Sequence, residues 1–244
     1  MKRWMKNFFL IALALLILSF AGFYIWSQQT YKPTENLYHS TNIQKKNNVN
    51  GYLLFEPVNQ KTETGIIFYP GAKVEPEAYA YLAEQLAQRG YTVAISKMPF
   101  NLAIAGINKA DKVINEHRDI KKWYIGGHSL GGASASIYAY NHQDTIKGLF
   151  LLAAYPTDSS DFSGTDFPIL TICAEKDGLT TLADIQEKKH LLSEDTFFYR
   201  IKDGNHAQFG IYGEQKGDKK ADINVFIQQD LVVNEIDRWI MMNQ

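Results

Sequence analysis

The strand-like run Trp123-Tyr124-Ile125-Gly126 leads without a break into Gly127-His128-Ser129-Leu130-Gly131, and a small-residue helical pattern follows in Ala133, Ala135, Ile137, Ala139 and Tyr140. A Gly-x-Ser-x-Gly pentapeptide alone arises readily by chance. Placed between a strand and a helix it describes a turn tight enough to need Gly127 and Gly131, with the Ser129 hydroxyl held clear of the backbone at a sheet edge. Ser129 is therefore the candidate nucleophile, against the blander reading of a tight strand-to-helix turn with no chemistry.

The rest of the chain supplies the sheet that such a turn requires. Strands are expected at 64–69, 92–97, 123–126, 147–153, 169–174 and 196–201. Helical patterns fall between them: one opening at Pro76 with Tyr79, Leu82, Ala83 and Leu86 on one face, one over 102–117, one after Ser129, one over 182–191 and a closing helix over 223–242. Two short strands at 43–46 and 51–55, joined through Asn47-Asn48, would form an edge hairpin. The alternation implies an α/β chain with a mostly parallel, doubly wound sheet, helices on both faces, and its site at the carboxyl ends of the strands.

The bulk properties narrow the partners. The 244 residues carry 25 Lys and Arg against 26 Asp and Glu, mixed in sign along the chain, so no basic stripe suggests nucleic acid. Cys173 is the single cysteine and sits in an apolar strand pattern, which excludes an internal disulfide. No ligand spacing calls for a metal, and no cofactor is implied.

The amino terminus is organised differently. Lys2, Arg3 and Lys6 stand in a basic end, residues 1–7, before an apolar run over 8–26. At about 1.5 Å per residue that run is roughly 28 Å of helix, close to the thickness of a hydrocarbon core. The cations before it place the amino terminus in the cytoplasm and the remainder outside. Ser19 and Ala21 would also suit a cleaved signal peptide, but the run is longer than a usual signal core and continues past that point, favouring an uncleaved anchor. Residues 27–42 turn polar without a period and are expected to be a tether, with the catalytic domain over 43–244.

A serine hydroxyl attacks only when an imidazole takes its proton and an acid holds that imidazole. His190 and His206 both lie downstream of Ser129; His190 sits in a helical pattern, whereas His206 follows the last strand in Asp203-Gly204-Asn205-His206. Asp177, after the strand ending at Ala174 and before Gly178, is the first choice for the acid, with Glu175, Asp158 and Asp161 as competitors. Backbone amides must also face the oxygen that becomes negative. Leu130, after the nucleophile, supplies one; Ala72, or else Lys73, supplies the other from Pro70-Gly71-Ala72-Lys73.

Taken in order, Tyr69-Pro70-Gly71-Ala72-Lys73-Val74, Met98-Pro99-Phe100-Asn101-Leu102-Ala103, Gly127-His128-Ser129-Leu130-Gly131-Gly132 and Asn205-His206-Ala207-Gln208-Phe209-Gly210 resemble the alpha/beta hydrolase superfamily, and within it the fold-5 branch related to dienelactone hydrolases. The resemblance spans about 51–240. It implies the alpha/beta hydrolase fold, Ser129, Asp177 and His206 as nucleophile, acid and base, and an oxyanion hole from Ala72 and Leu130. Dienelactone hydrolases use a cysteine where this chain has Ser129, so a lactone substrate is not inherited. The segment 155–168 is too short for a large cap domain, leaving an open cleft that Lys73, Met98, Phe100, Phe209 and Tyr212 would line. An uncapped cleft suits short acyl groups or the exposed edge of a larger molecule. The expected activity is hydrolysis of carboxylic esters, small or borne on the cell surface, through an acyl-enzyme. The alternatives are acyl transfer with the same residues and a binding module whose site has lapsed.

Overall fold

The computed structural model describes residues 3–41, 48–49, 51–58 and 61–243. Among the described residues, eight strands form one sheet in the order β1-β2-β4-β3-β5-β6-β7-β8. They are β1 (Asn48–Val49), β2 (Tyr52–Phe55), β3 (Thr64–Tyr69), β4 (Thr92–Ser96), β5 (Lys122–His128), β6 (Ile146–Leu152), β7 (Ile169–Ala174) and β8 (Phe197–Ile201). From β4 to β8 every pairing is parallel, and β1 and β2 add an antiparallel edge. The expected strand at 43–46 lies outside the described residues. Asn48, expected in the connecting turn, instead pairs with Leu53 in β1.

Alternate residues of each strand face opposite sides of the sheet, so each buried strand feeds two cores. Ile66 and Phe68 of β3 join Phe150, Ile172, Leu82 and Ile236 on one side. There α3 (Ala80–Gln88) and α7 (Val225–Met242) cover the sheet. Ile67 and Tyr69 join Ile125, Leu149, Val113 and Tyr138 on the other, beneath α4 (Lys109–Glu116) and α5 (Leu130–Asn141). The remaining helices are α1 (Arg3–Ser27), α2 (Glu35–Ser40) and α6 (Leu182–Glu187). The helices on both faces are those the alternation of periods requires. No inserted domain interrupts the connection from β6 to β7.

Strand order reverses at β3: the chain steps one way to β4, then returns past β3 to β5. A crevice opens at the carboxyl ends of the strands at such a reversal, and the turns after β3 and β5 both border it.

Three elements differ from expectation. The helix predicted over 102–117 is broken into a 3-10 turn at Ala103–Gly106 and α4. The Tyr69 hydroxyl occupies the break, donating to the Ile107 carbonyl at 2.5 Å and accepting from the Ala110 amide at 3.0 Å. A side chain inserted into the i to i−4 ladder in this way ends a helix. The helix predicted over 182–191 is α6 followed by a 3-10 turn at Lys188–Leu191. Of the polar segment 27–42 expected to be a tether, residues 27–41 lie among the described ones, and they carry α2, bury Ser27 and Leu37, and pair Tyr31 with Val74 in a parallel bridge.

α1 is long and apolar enough to cross a membrane, and all of its described residues except Ser27 are exposed. Its last turns rest on the domain. Phe20 and Phe23 contact the ring of Phe100 at centroid distances of 6.2 and 5.4 Å, and the Asn101 side-chain amide donates to the Ser27 carbonyl at 3.0 Å.

Candidate active site

β5 runs to His128, and Ser129 follows with φ 53° and ψ −123°, a left-handed backbone adopted by a residue with a side chain. Such a conformation costs roughly 1–3 kcal/mol and persists only where its surroundings enforce it. The Ser129 amide donates to the Leu152 carbonyl at 2.9 Å, extending the β5–β6 ladder into the turn. The two flanking glycines are needed for close approach rather than for a positive φ. A Cβ on Gly127 would lie 2.5 Å from the Tyr69 carbonyl oxygen, and one on Gly131 would collide with that same oxygen and with the Pro70 carbonyl. Their absence of side chains lets the first turn of α5 press against the end of β3.

Asp177 and His206 meet at the same end of the sheet. His206 Nδ1 and Asp177 Oδ2 are 2.8 Å apart, with side chains 1% and 0% exposed. Asp177 Oδ1 accepts from the amides of Leu179 at 2.8 Å and Thr180 at 2.6 Å, so the carboxylate is fixed on both oxygens. A carboxylate can only accept here. It therefore holds the proton on Nδ1 and leaves Nε2 with its lone pair available. The imidazole of His206 packs 4.4 Å, centroid to centroid, from that of His128, the residue before Ser129, which brings the acid–imidazole pair to the elbow.

The other candidates are placed elsewhere. His190 is exposed on its 3-10 turn and bonds the Glu187 carbonyl. Asp158 pairs with Lys188 at the surface, and Asp161 accepts from the Ser163 amide within its own loop. Glu175 accepts from the Asp203 amide at 3.0 Å and shapes the turn before His206.

At the loop after β3 the two possible donors separate cleanly. The Lys73 amide is already committed to the Asn101 carbonyl at 2.8 Å, whereas the Ala72 amide has no protein acceptor among the described residues. The Ala72 amide is thus open on its loop, and the Leu130 amide stands at the start of α5, where a helix leaves its first N–H groups without an intrahelical acceptor. The residue next to them is held from behind. The Gly71 amide donates to the Tyr79 hydroxyl at 3.0 Å, and that hydroxyl lies 2.9 Å from His128 Nδ1. Because Tyr79 accepts from Gly71, its own proton is free to go to Nδ1. Burial, reinforced by the neighbouring His206, holds the His128 pKa well below the ordinary imidazole value, so His128 is a neutral spacer. Burial likewise raises the pKa of Tyr79, keeping its proton in place.

The residues expected to line the cleft mostly do something else. Lys73 places its Nζ 4.3 Å above the ring of Trp26 in α1. Phe100 packs on α1 as described. Phe209 is fully buried and stacks on His128 at 5.6 Å, and Tyr212 is buried with its ring beside Tyr31 and its hydroxyl on Gln215. Aromatic residues near a motif pack readily into the core below it, and these two form the floor under His128. Met98 is half-buried and lines an open groove of about 590 Å³ shared with Gln28, Lys32, Glu75, Lys97 and Asn101.

Three supports were not legible from the sequence. Asp218 joins the acid loop to the base loop, accepting from Gly178 at 2.9 Å and Ala207 at 2.8 Å. Gln228 of α7 accepts from the Asn205 amide and donates to the Asn205 carbonyl. Tyr79 is the third. Their only sequence signal is a polar residue inside an apolar helix face or a generic Gly217-Asp218 turn.

Comparison with known proteins bears on this arrangement. The model of the alpha/beta hydrolase family matches residues 65–230, from β3 through the first turns of α7. The chain belongs to the alpha/beta hydrolase family. Among solved structures, this alpha/beta hydrolase is similar to Est1E from Butyrivibrio proteoclasticus, with TM-score 0.60 and 16% identity over 78% of this chain and 94% of that one. It is also similar to a dienelactone hydrolase from Anabaena variabilis, with TM-score 0.59 and 16% identity over 79% and 91% of the two chains. A structure described under the metagenome-derived lipolytic enzymes LipS and LipT has TM-score 0.58 and 14% identity over 77% of this chain and 98% of that one. At such identities the likeness is one of fold. No curated protein matches this alpha/beta hydrolase by sequence.

Proposed function

We propose that this alpha/beta hydrolase is a serine hydrolase of carboxylic esters, held by α1 on the outer face of a membrane. The observation that carries the reading is the buried 2.8 Å bond between Asp177 and His206 beside an elbow that presents Ser129 with a positive φ. Est1E, which has been described with ferulic acid bound, and the lipolytic enzymes of the same fold support a hydrolase.

In this reading each group has a role. His206 Nε2 takes the Ser129 proton as Oγ attacks the ester carbonyl, and Asp177 stabilises the imidazolium that results. The carbonyl oxygen becomes negative between the amides of Ala72 and Leu130, each such donor typically contributing about 3 kcal/mol to the transition state. The C–O bond of the ester then breaks, His206 returns its proton to the departing alcohol, and the acyl group remains on Ser129. Water repeats the sequence and releases the carboxylate. Anchoring and sidedness rest on Lys2, Arg3 and Lys6 standing before the apolar run.

A fluorophosphonate probe and a panel of p-nitrophenyl esters test the proposal on native chain and Ser129→Ala. The expected result is labelling and turnover by the native chain only, with kcat falling on the order of a million-fold in the variant. Turnover undiminished by the substitution would falsify the role of Ser129. Peptide or thioester hydrolysis in place of ester hydrolysis would correct the substrate class.

A further inference from the structure

The contact between α1 and the domain has a depth. If the apolar run over 8–26 fills the hydrocarbon layer, Trp26 marks its outer boundary, and Phe20, six residues earlier, lies about 9 Å further in. Phe100 packs against both Phe20 and Phe23, so the segment that carries it must follow those residues below the boundary. Phe100 and Asn101 are both held at φ 55°, unusual for residues with side chains, and the turn that comes next leaves Ile104 48% exposed. A polar chain segment would not tolerate that position; this one presents Phe100 and Ile104.

The same segment is bonded to the catalytic loop. Asn101 accepts from the Lys73 amide, Lys73 sits over Trp26, and Ala72 is the next residue. We infer that the loop from Met98 to Gly106 is seated in the outer leaflet beside α1, and that the cleft therefore opens at the level where acyl chains meet their head groups. The substrates are esters of membrane amphiphiles, entering sideways from the bilayer. This deepens the hydrolase reading and rests on it. The uncapped cleft then makes physical sense: an acyl chain needs an apolar tunnel only if it must leave the bilayer, and here the bilayer itself keeps it from water. Ester carbonyls of acyl lipids lie at the head-group boundary, the depth marked by Trp26, over which the side chain of Lys73 sits. The groove lined by Gln28, Lys32, Glu75 and Lys97, where α1 leaves the layer, offers charges of both signs to a head group.

The full chain in vesicles of phosphatidylcholine with phosphatidylglycerol tests the inference in two ways. A polarity-sensitive dye on the thiol introduced by Ile104→Cys should emit to the blue, be quenched by doxyl-labelled lipid and be shielded from aqueous iodide. Quenching by iodide without quenching by doxyl lipid overturns the seating, whatever the enzyme does. Ile104→Glu should lower turnover of a fluorogenic acyl phospholipid in the vesicles on the order of fivefold, because a carboxylate resists the apolar layer, while p-nitrophenyl acetate turnover stays unchanged. Native chain that cleaves the acetate but not the phospholipid overturns the substrate class and leaves the hydrolase reading standing. Cleavage of neither overturns both.

Discussion

Ser129, Asp177 and His206 are presented by different means, and the difference governs what substitution does to each. Ser129 depends on a strained backbone, whereas His206 depends on a single acceptor, Asp177 Oδ2. In Asp177→Asn the amides of Leu179 and Thr180 can still donate to the remaining oxygen, so the loop should keep its shape. The new amide group would face Nδ1 as a donor and push the proton to Nε2, the wrong tautomer for a base. Steady-state assays should show kcat lower by about 10⁴ with an unchanged melting temperature; a loss below tenfold would remove Asp177 from the proposed triad. His128 gives a prediction about stability instead. Its folded pKa is depressed well below the ordinary 6.5 by burial and by His206, while in the unfolded chain it titrates normally. Below about pH 6.5 unfolding therefore takes up a proton that the native state refuses, and stability falls as pH falls, by at most about 1.4 kcal/mol per pH unit from this group. Above that pH the contribution is flat. Urea titrations from pH 7 to 5 should show a shallower loss in His128→Gln than in the native chain, and parallel curves would contradict a buried neutral imidazole.

Between elements, α7 acts on a site that it never touches with a reacting atom. Gln228 is fully buried and makes both of its backbone bonds to Asn205, and Gln229 donates to the Gln208 carbonyl at 2.6 Å, so two consecutive helix residues grip the loop on either side of His206. Gln228→Leu would strand a buried amide and carbonyl, each at a cost of about 1–3 kcal/mol. Thermal unfolding should show a lower midpoint, and kcat should fall about tenfold as His206 shifts; a variant with native kcat would make Gln228 a packing residue only. Neither glutamine is legible in the sequence, since the apolar period of α7 runs through Phe226, Val233, Ile236 and Ile240, of which Phe226 is only half-buried against Tyr81. Period and chain order carry far: they locate the parallel strands, the elbow after β5, and the loops that bring Asp177 to His206. They fail where one side chain reaches across the sheet. The Tyr69 hydroxyl that splits the helix predicted over 102–117 is a strand residue more than thirty positions away, and the bonds of Asp218 to Gly178 and of Tyr79 to His128 are equally remote in sequence. The packing of Phe100, Phe209 and Tyr212 is hidden for a related reason: an aromatic beside a motif has the same appearance in sequence whether it faces a ligand, a core or another helix.

At the scale of the molecule, the segment after α1 belongs to the hydrolase fold and not to a spacer. Tyr31 exchanges backbone bonds with Lys73 and Glu75, the Thr30 hydroxyl reaches Glu75, Thr34 donates to the Ile211 carbonyl, and Leu37 is 0% exposed. Its polar composition concealed this, because a segment that docks through backbone bonds and one buried leucine needs no hydrophobic period. The consequence distinguishes two truncations. A chain beginning at Gln28 retains every one of these contacts and should fold as a soluble domain. A chain beginning at Thr41 loses the burial of Leu37, worth about 2–3 kcal/mol, together with the pairing that backs the Lys73 loop. With the dependence expected for a domain of this size, about 2–4 °C per kcal/mol, its thermal midpoint should lie roughly 10 °C below that of the longer form. Its ester turnover should fall too, because Tyr31 and Asn101 bond Lys73 from opposite sides and so hold Ala72 in place. Differential scanning calorimetry and initial rates on the two forms decide the matter. Equal midpoints and equal rates would return residues 28–40 to the status of a simple linker.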